Sequence, residues 1–225
     1  MDLSLDQFDG IVSLFLACIE LVLILNLLIF AEKNYINKHI ILLVTLLCVY
    51  QFLEFTICYF GINSQIILYL ALFTITLLPP LSLKIAAGFH GFKGKIVNLI
   101  FLPALFFIFY YPTVLDELVV VKCTVFYAII EFPLGDLYGL FYYAPVILTM
   151  VLLYLAYRKS EGINKRLNFI LLLGFALTFF PTFILLITVE QVSQFIESVM
   201  CKAAFLIAMS ASYVAIMYKE EVKGD

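Results

Sequence analysis

The chain has 225 residues, of which 65% are hydrophobic and 13% charged, and its mean hydropathy is +1.13. Globular domains are roughly half apolar and a quarter charged, and soluble monomers rarely expose large apolar patches, so a water-soluble globule has too little interior for this many Leu, Ile and Phe side chains. The formal charge of −3 gathers into no basic nucleic-acid patch, and it becomes informative only once each charge is assigned to one side of a membrane.

Residues 1–9 carry Asp2, Asp6 and Asp9 and no basic residue. A secretory signal has a basic leading segment, so the first apolar run is expected to be a spanning helix that stays in place. Crossing the ~30 Å hydrocarbon core takes about 20 apolar residues, and only helices or closed barrels satisfy their backbone there. Continuous apolar runs predict spans at 11–30, 40–60, 66–87, 96–115, 137–157, 167–189 and 195–217. The connections at 31–39, 88–95 and 158–166 are polar or basic, 61–65 is uncharged, and only 116–136 is long. Within it, Val119, Val121, Cys123, Val125 and Tyr127 alternate with their neighbours. This pattern predicts either a β-hairpin over the outer face or an amphipathic surface segment.

Cytoplasmic loops are enriched in Lys and Arg, which tests the span count. With the N-terminus outside, the cytoplasmic segments hold Lys33, Lys38, Lys93, Lys95, Arg158, Lys159, Lys165, Arg166, Lys219 and Lys223, and the outer segments hold only Lys122. Asp116, Glu117, Glu131, Asp136 and Glu190 lie outside. The expected fold is therefore an all-α membrane protein: one domain over 1–225 forming a seven-transmembrane-helix bundle, N-terminus outside and C-terminus cytoplasmic, in the plasma or cytoplasmic membrane. No internal repeat is visible, which weighs against the inverted halves of many secondary transporters. Pro79, Pro80, Pro103, Pro145 and Pro181 fall inside spans, as hinges or as static kinks. The five cysteines, Cys18, Cys48, Cys58, Cys123 and Cys201, read as small buried apolar side chains; Cys58 and Cys123 both fall near the outer face, and a bridge between them is the alternative.

Four ionisable residues lie well inside the spans: Glu20, Glu54, Glu197 and Lys202. Each costs about 2.5–3.5 kcal/mol or more on a lipid face at the bilayer centre, so such groups face the bundle and find partners. Gln51 shares a helix face with Glu54, and Ser198 shares one with Lys202. Glu197 and Lys202 are about 140° apart around their helix, so Lys202 is expected to pair with Glu54 or Glu20 on another helix. Two readings stay open: an ion-pair network that fixes helix register, or a ligand or ion site in the outer half of the bundle comprising Gln51, Glu54, Ser198, Lys202, Glu20 and Glu197. Lys84, near an inner helix end, is expected to snorkel. His39 and His90 sit in predicted cytoplasmic loops, which leaves no His-based metal site in the membrane, and no hydrolase or nucleotide-binding motif occurs. Neither a catalytic residue nor a metal is expected, and a non-enzymatic role is favoured.

Ser198-Val-Met-Cys-Lys202, together with Phe180-Pro181, resembles the retinal-bearing helix and the aromatic-proline pair of the microbial rhodopsins, heliorhodopsins especially. That resemblance implies a retinal Schiff base on Lys202. The third span lacks that family's carboxylate counterion and the chain has no Trp, so Glu54 would have to serve as counterion. Gln51-x-x-Glu54, Leu78-Pro79 and Ser198-Val-Met-Cys201 are similar to Q-x-x-E, W-P and S-V-W-C in an uncharacterised bacterial seven-helix membrane family, a likeness that implies no activity. The expected functions are thus small-ligand binding or sensing with a cytoplasmic or membrane partner protein, proton or ion translocation along the buried carboxylates, and a retinal pigment. Beyond retinal no cofactor is expected, and the lipid bilayer is the certain partner.

Overall fold

A computed structural model describes residues 10–62, 64–92, 95–125, 128–188 and 196–218, with the backbone alone at 95–96, 182–183, 185–188 and 196–199. In chain order the helices are α1 (Ile11–Phe30), α2 (Tyr35–Tyr59), α3 (Gln65–Phe89), α4 (Leu102–Tyr110), α5 (Gly135–Lys159), α6 (Gly162–Thr188), α7 (Ile196–Ala203) and α8 (Phe205–Met217). Strands β1 (Val119–Cys123) and β2 (Ala128–Glu131) stand between α4 and α5. Among the described residues six runs are long and apolar enough to cross a membrane: α1, α2, α3, α5, α6 and the α7–α8 pair. Their large apolar side chains point outward in quantity, Phe15, Ile29, Leu140 and Phe180 among them, as expected where lipid takes the place of water.

Sequence and structure part company at four helix ends or interiors: α6 begins at Gly162, ahead of the expected 167, and the other three each have a local reason. α2 starts at Tyr35, earlier than the expected 40, because the Asn34 side chain accepts a hydrogen bond from Asn37 N at 2.8 Å and caps the helix, as an Asn can at that position. The expected span at 96–115 is a composite: a 3-10 stretch at Lys95–Phe101, then α4, then a 3-10 turn at Tyr111–Thr113. Pro103 and Pro112 open the second and third pieces, and a proline, lacking an N–H, cannot bond back along an α-helical ladder. The expected span at 195–217 is interrupted at Ala204.

Helix directions follow from side-chain contacts. α3 and α5 run parallel, since Thr76 Oγ1 lies 3.2 Å from Tyr138 OH, Ser82 Oγ 3.3 Å from Thr149 Oγ1, and His90 Nε2 2.8 Å from Leu152 O. The composite segment returns antiparallel along α3. Lys84 Nζ donates to Asn98 Oδ1 at 2.9 Å, Tyr69 OH to Ile108 O at 3.1 Å, and Gln65 Nε2 to Asp116 Oδ1 at 3.0 Å. α3 stays helical through Pro79 and Pro80, while the hydroxyls of Thr74, Thr76 and Ser82 turn back onto helix carbonyls.

α8 packs against α6, α2 and α1. On α6, Gly174 lies so close to α8 that an added Cβ would run into the Ser210 hydroxyl. Overpacking of this kind costs typically ~1–3 kcal/mol, so Gly174→Leu is expected to lower the melting temperature in detergent, whereas Leu173→Ala on the neighbouring outward-facing position should leave it nearly unchanged. Equal melting of the two variants would contradict the close approach.

β1 and β2 pair antiparallel, with Val119 opposite Glu131 and Cys123 opposite Ala128, and a bulge between Val120 and Lys122. Of the two expectations for this stretch, the hairpin is the one observed. Against the expectation of buried free thiols, a disulfide joins Cys123 to Cys58 on the last turn of α2, their Cα atoms 5.5 Å apart, and Cys18 is exposed; only Cys201 is a buried free thiol among the described residues. Gly10 N donates to Thr124 O at 3.1 Å. The left-handed φ of +75° at Gly10, with Cys58 Cβ directly beside it, is a place that only glycine fits without strain. The hairpin is thereby held against the tips of α1 and α2.

Candidate functional site

Lys202 sits on the last turn of α7 and points into the bundle. An ammonium has three donors, and each meets one acceptor: Ser13 Oγ on α1 at 2.8 Å, Gln51 Oε1 on α2 at 2.9 Å and Glu54 Oε2 on α2 at 2.6 Å. The Lys202 side chain is 13% exposed and that of Glu54 2%. Of the two candidate partners the ion pair is with Glu54. Gln51 and Glu54 lie one turn apart on α2, and a three-residue spacing puts both on the face toward α7.

Each acceptor on α2 also makes a second contact. Gln51 Nε2 donates to Cys201 O at 2.8 Å. Glu54 Oε1 accepts from Ala128 N, the first residue of β2, at 3.2 Å. One carboxylate therefore touches the hairpin with one oxygen and α7 with the other.

The same contacts account for the interruption at Ala204. Two carbonyls just before it accept from side chains of other helices, Cys201 O from Gln51 and Ala203 O from Thr178 Oγ1 at 3.0 Å. A side chain inserted into the helix ladder is a common cause of a kink. Next to the break lies a cavity of about 30 Å³ lined by Pro79, Ser82, Val146, Phe179, Ala204 and Ile207, large enough for about one water molecule. Pro79 of α3 and the α7–α8 break thus border one small void.

Glu20 is fully buried on α1, two turns beyond Ser13 on the same face, and neither of its oxygens has a hydrogen-bond partner among the described residues. It lies within electrostatic reach of Lys202 and Cys48, and Cys48 Sγ donates to Ala17 O at 3.4 Å. Glu197 and Ser198 lie on the α7 backbone, and their side chains fall outside the described residues. Lys84 reaches Asn98 and stands 5.5 Å from the centre of the Phe101 ring.

Of the expected site residues, the structure therefore brings Gln51, Glu54 and Lys202 into direct contact and sets Glu20 deeper and apart. Sequence reasoning missed Ser13 and the Ala128 amide. Ser13 and Glu20 share a face of a largely apolar helix, which is a signal a face-by-face reading of α1 would have caught; a backbone amide carries none. No known protein family, curated protein or solved structure matches the chain.

Proposed function

We propose that this chain is a seven-pass sensing protein of the plasma or cytoplasmic membrane, with its N-terminus outside. A small ligand arriving at the outer face engages the Ser13, Gln51, Glu54 and Lys202 cluster and shifts α7, and the cytoplasmic end of α8 relays the shift to a partner protein. The composite segment supplies the remaining crossing: at about 2.0 Å per residue in 3-10 turns and 1.5 Å in the α-helix, it reaches roughly 30 Å. The basic residues favour the stated orientation, as does a disulfide-bonded hairpin, since such bonds persist in oxidising compartments.

The observation that carries the reading is the division of the Glu54 carboxylate between Ala128 N in the hairpin and Lys202 on α7. Anything that displaces the hairpin changes what the carboxylate offers the lysine. Amide hydrogen exchange on protein in lipid nanodiscs tests this. Glu54→Gln should raise exchange both in the hairpin and in the inner half of α8, on the far side of the Ala204 break. A change confined to the hairpin would mean the ion pair only fixes helix register.

Proton translocation is the second reading, favoured by Glu20, a buried carboxylate without a hydrogen-bond partner along the same helix as Ser13. Proteoliposome proton flux that Glu20→Gln abolishes is its expected result, and flux that survives the change rejects it. A retinal Schiff base leaves the Lys202 nitrogen one N–H at most, so at least two of its three acceptors would lose their donor, and the arrangement favours it least.

A further inference from the structure

We propose that Ser13, Gln51 and Glu54 form a binding site for a primary ammonium group, occupied here by the side chain of Lys202 acting as a tethered competitor, and that the ligand of the sensing site is a small primary amine. The inference rests on the sensing reading above and names the chemistry of its ligand.

The three oxygens surround one nitrogen with one acceptor for each N–H. Two of them are held by contacts that do not involve the lysine nitrogen: the Gln51 amide is fixed by Cys201 O, and Glu54 by Ala128 N. These two acceptors are therefore pre-organised, and pre-organised groups bind without a large ordering cost. The lysine, by contrast, is a long chain with several rotatable bonds, and it is the more exposed partner of the pair. When the pair separates, the oxygens stay and the ammonium leaves, so the group that replaces it must be cationic and must donate hydrogen bonds.

Charge on the same side of the bundle agrees. Asp116, Glu117, Glu131 and Asp136 are exposed around the hairpin, where Lys122 is the one basic residue among those described. A surface of one sign concentrates ligands of the other and speeds their arrival. A tethered group competes at an effective concentration of roughly millimolar or more, so a free amine binds the wild-type protein weakly and a protein without the lysine side chain much better.

Thermal unfolding in nanodiscs at constant ionic strength tests the proposal, with methylammonium and tetramethylammonium as probes. In Lys202→Ala, methylammonium should raise the melting temperature by several degrees in a saturable way, because a ligand that binds only the folded state stabilises it. Tetramethylammonium, which has no N–H, should not. Adding Glu54→Gln should remove the response. An equal effect of the two cations, or no effect of either, overturns the proposal. Should Lys202→Ala not fold, the wild-type protein carries the test through its ¹⁵N-labelled lysine ammonium signals: the hydrogen-bonded Lys202 signal is lost with excess methylammonium and kept with tetramethylammonium, and its survival in both overturns the proposal. Methylammonium binding without altered exchange in the inner half of α8 establishes the ammonium site while rejecting the sensing reading.

Discussion

Lys202→Met is expected to destabilise the protein by about 3–5 kcal/mol, the cost typical of removing one member of a buried ion pair. The penalty arises from what stays behind. Glu54 keeps Ala128 N, at 3.2 Å, but loses its counter-charge, and Ser13 Oγ and Gln51 Oε1 lose the ammonium they accept from. Glu54→Gln added to Lys202→Met should recover much of the loss, because a neutral amide still accepts from Ala128 and leaves no uncompensated carboxylate. Denaturation of the single and double variants gives the coupling between the two positions. Strictly additive effects would mean that the 2.6 Å contact contributes little.

Removing the Cys58–Cys123 bond, by Cys58→Ser with Cys123→Ser or by reduction, should have the next largest effect. A bond closing a 65-residue separation stabilises a soluble chain by about 4 kcal/mol in the chain-entropy model. In a membrane the intervening helices stay inserted when tertiary packing is lost, so the freed chain gains less entropy and about 2 kcal/mol is the better expectation. Reduced wild-type protein and the double serine variant should melt together and migrate alike on a non-reducing gel, and Cys201→Ser should migrate as oxidised wild type. A reduced protein that melts with the oxidised one would show that the hairpin is held by Gly10, Glu54 and its own packing.

Most of the helical plan was legible because lipid simplifies the code: a run of apolar residues of sufficient length is already a prediction. α1 matches its expected bounds at Ile11–Phe30, and α3 and α5 extend theirs by one or two residues at each end. The failures lie where hydropathy is silent. It cannot see the Asn34 cap, so α2 was begun too late. It reads through Pro103 and Pro112, so the composite segment looked like a plain helix. It misses the break at Ala204, which is caused by side chains from α2 and α6 that reach α7 only in the folded bundle.

The buried cluster was legible in part. A lysine in an apolar span demands a counter-charge, and the helical spacing of Glu197 excluded the nearest one in sequence, which left Glu54 and Glu20. Choosing between these takes the packing of α1 and α2 against α7. Ser13 was overlooked because a serine raises no alarm in an apolar helix, although it supplies one third of the ammonium's shell.

The Cys58–Cys123 bond also imposes a rule of parity. Two thiols oxidise to each other only if they reach the same compartment, so the chain between them must enter the membrane and leave it an even number of times. In the proposed seven-pass topology α3 accounts for one passage and the composite segment for the other. In that topology, a molecule in which the proline-interrupted segment failed to insert would leave Cys123 on the opposite side of the membrane from Cys58, and the bond could not close. The oxidised fraction on a non-reducing gel is therefore a count of correctly threaded molecules, made by the protein on itself during assembly.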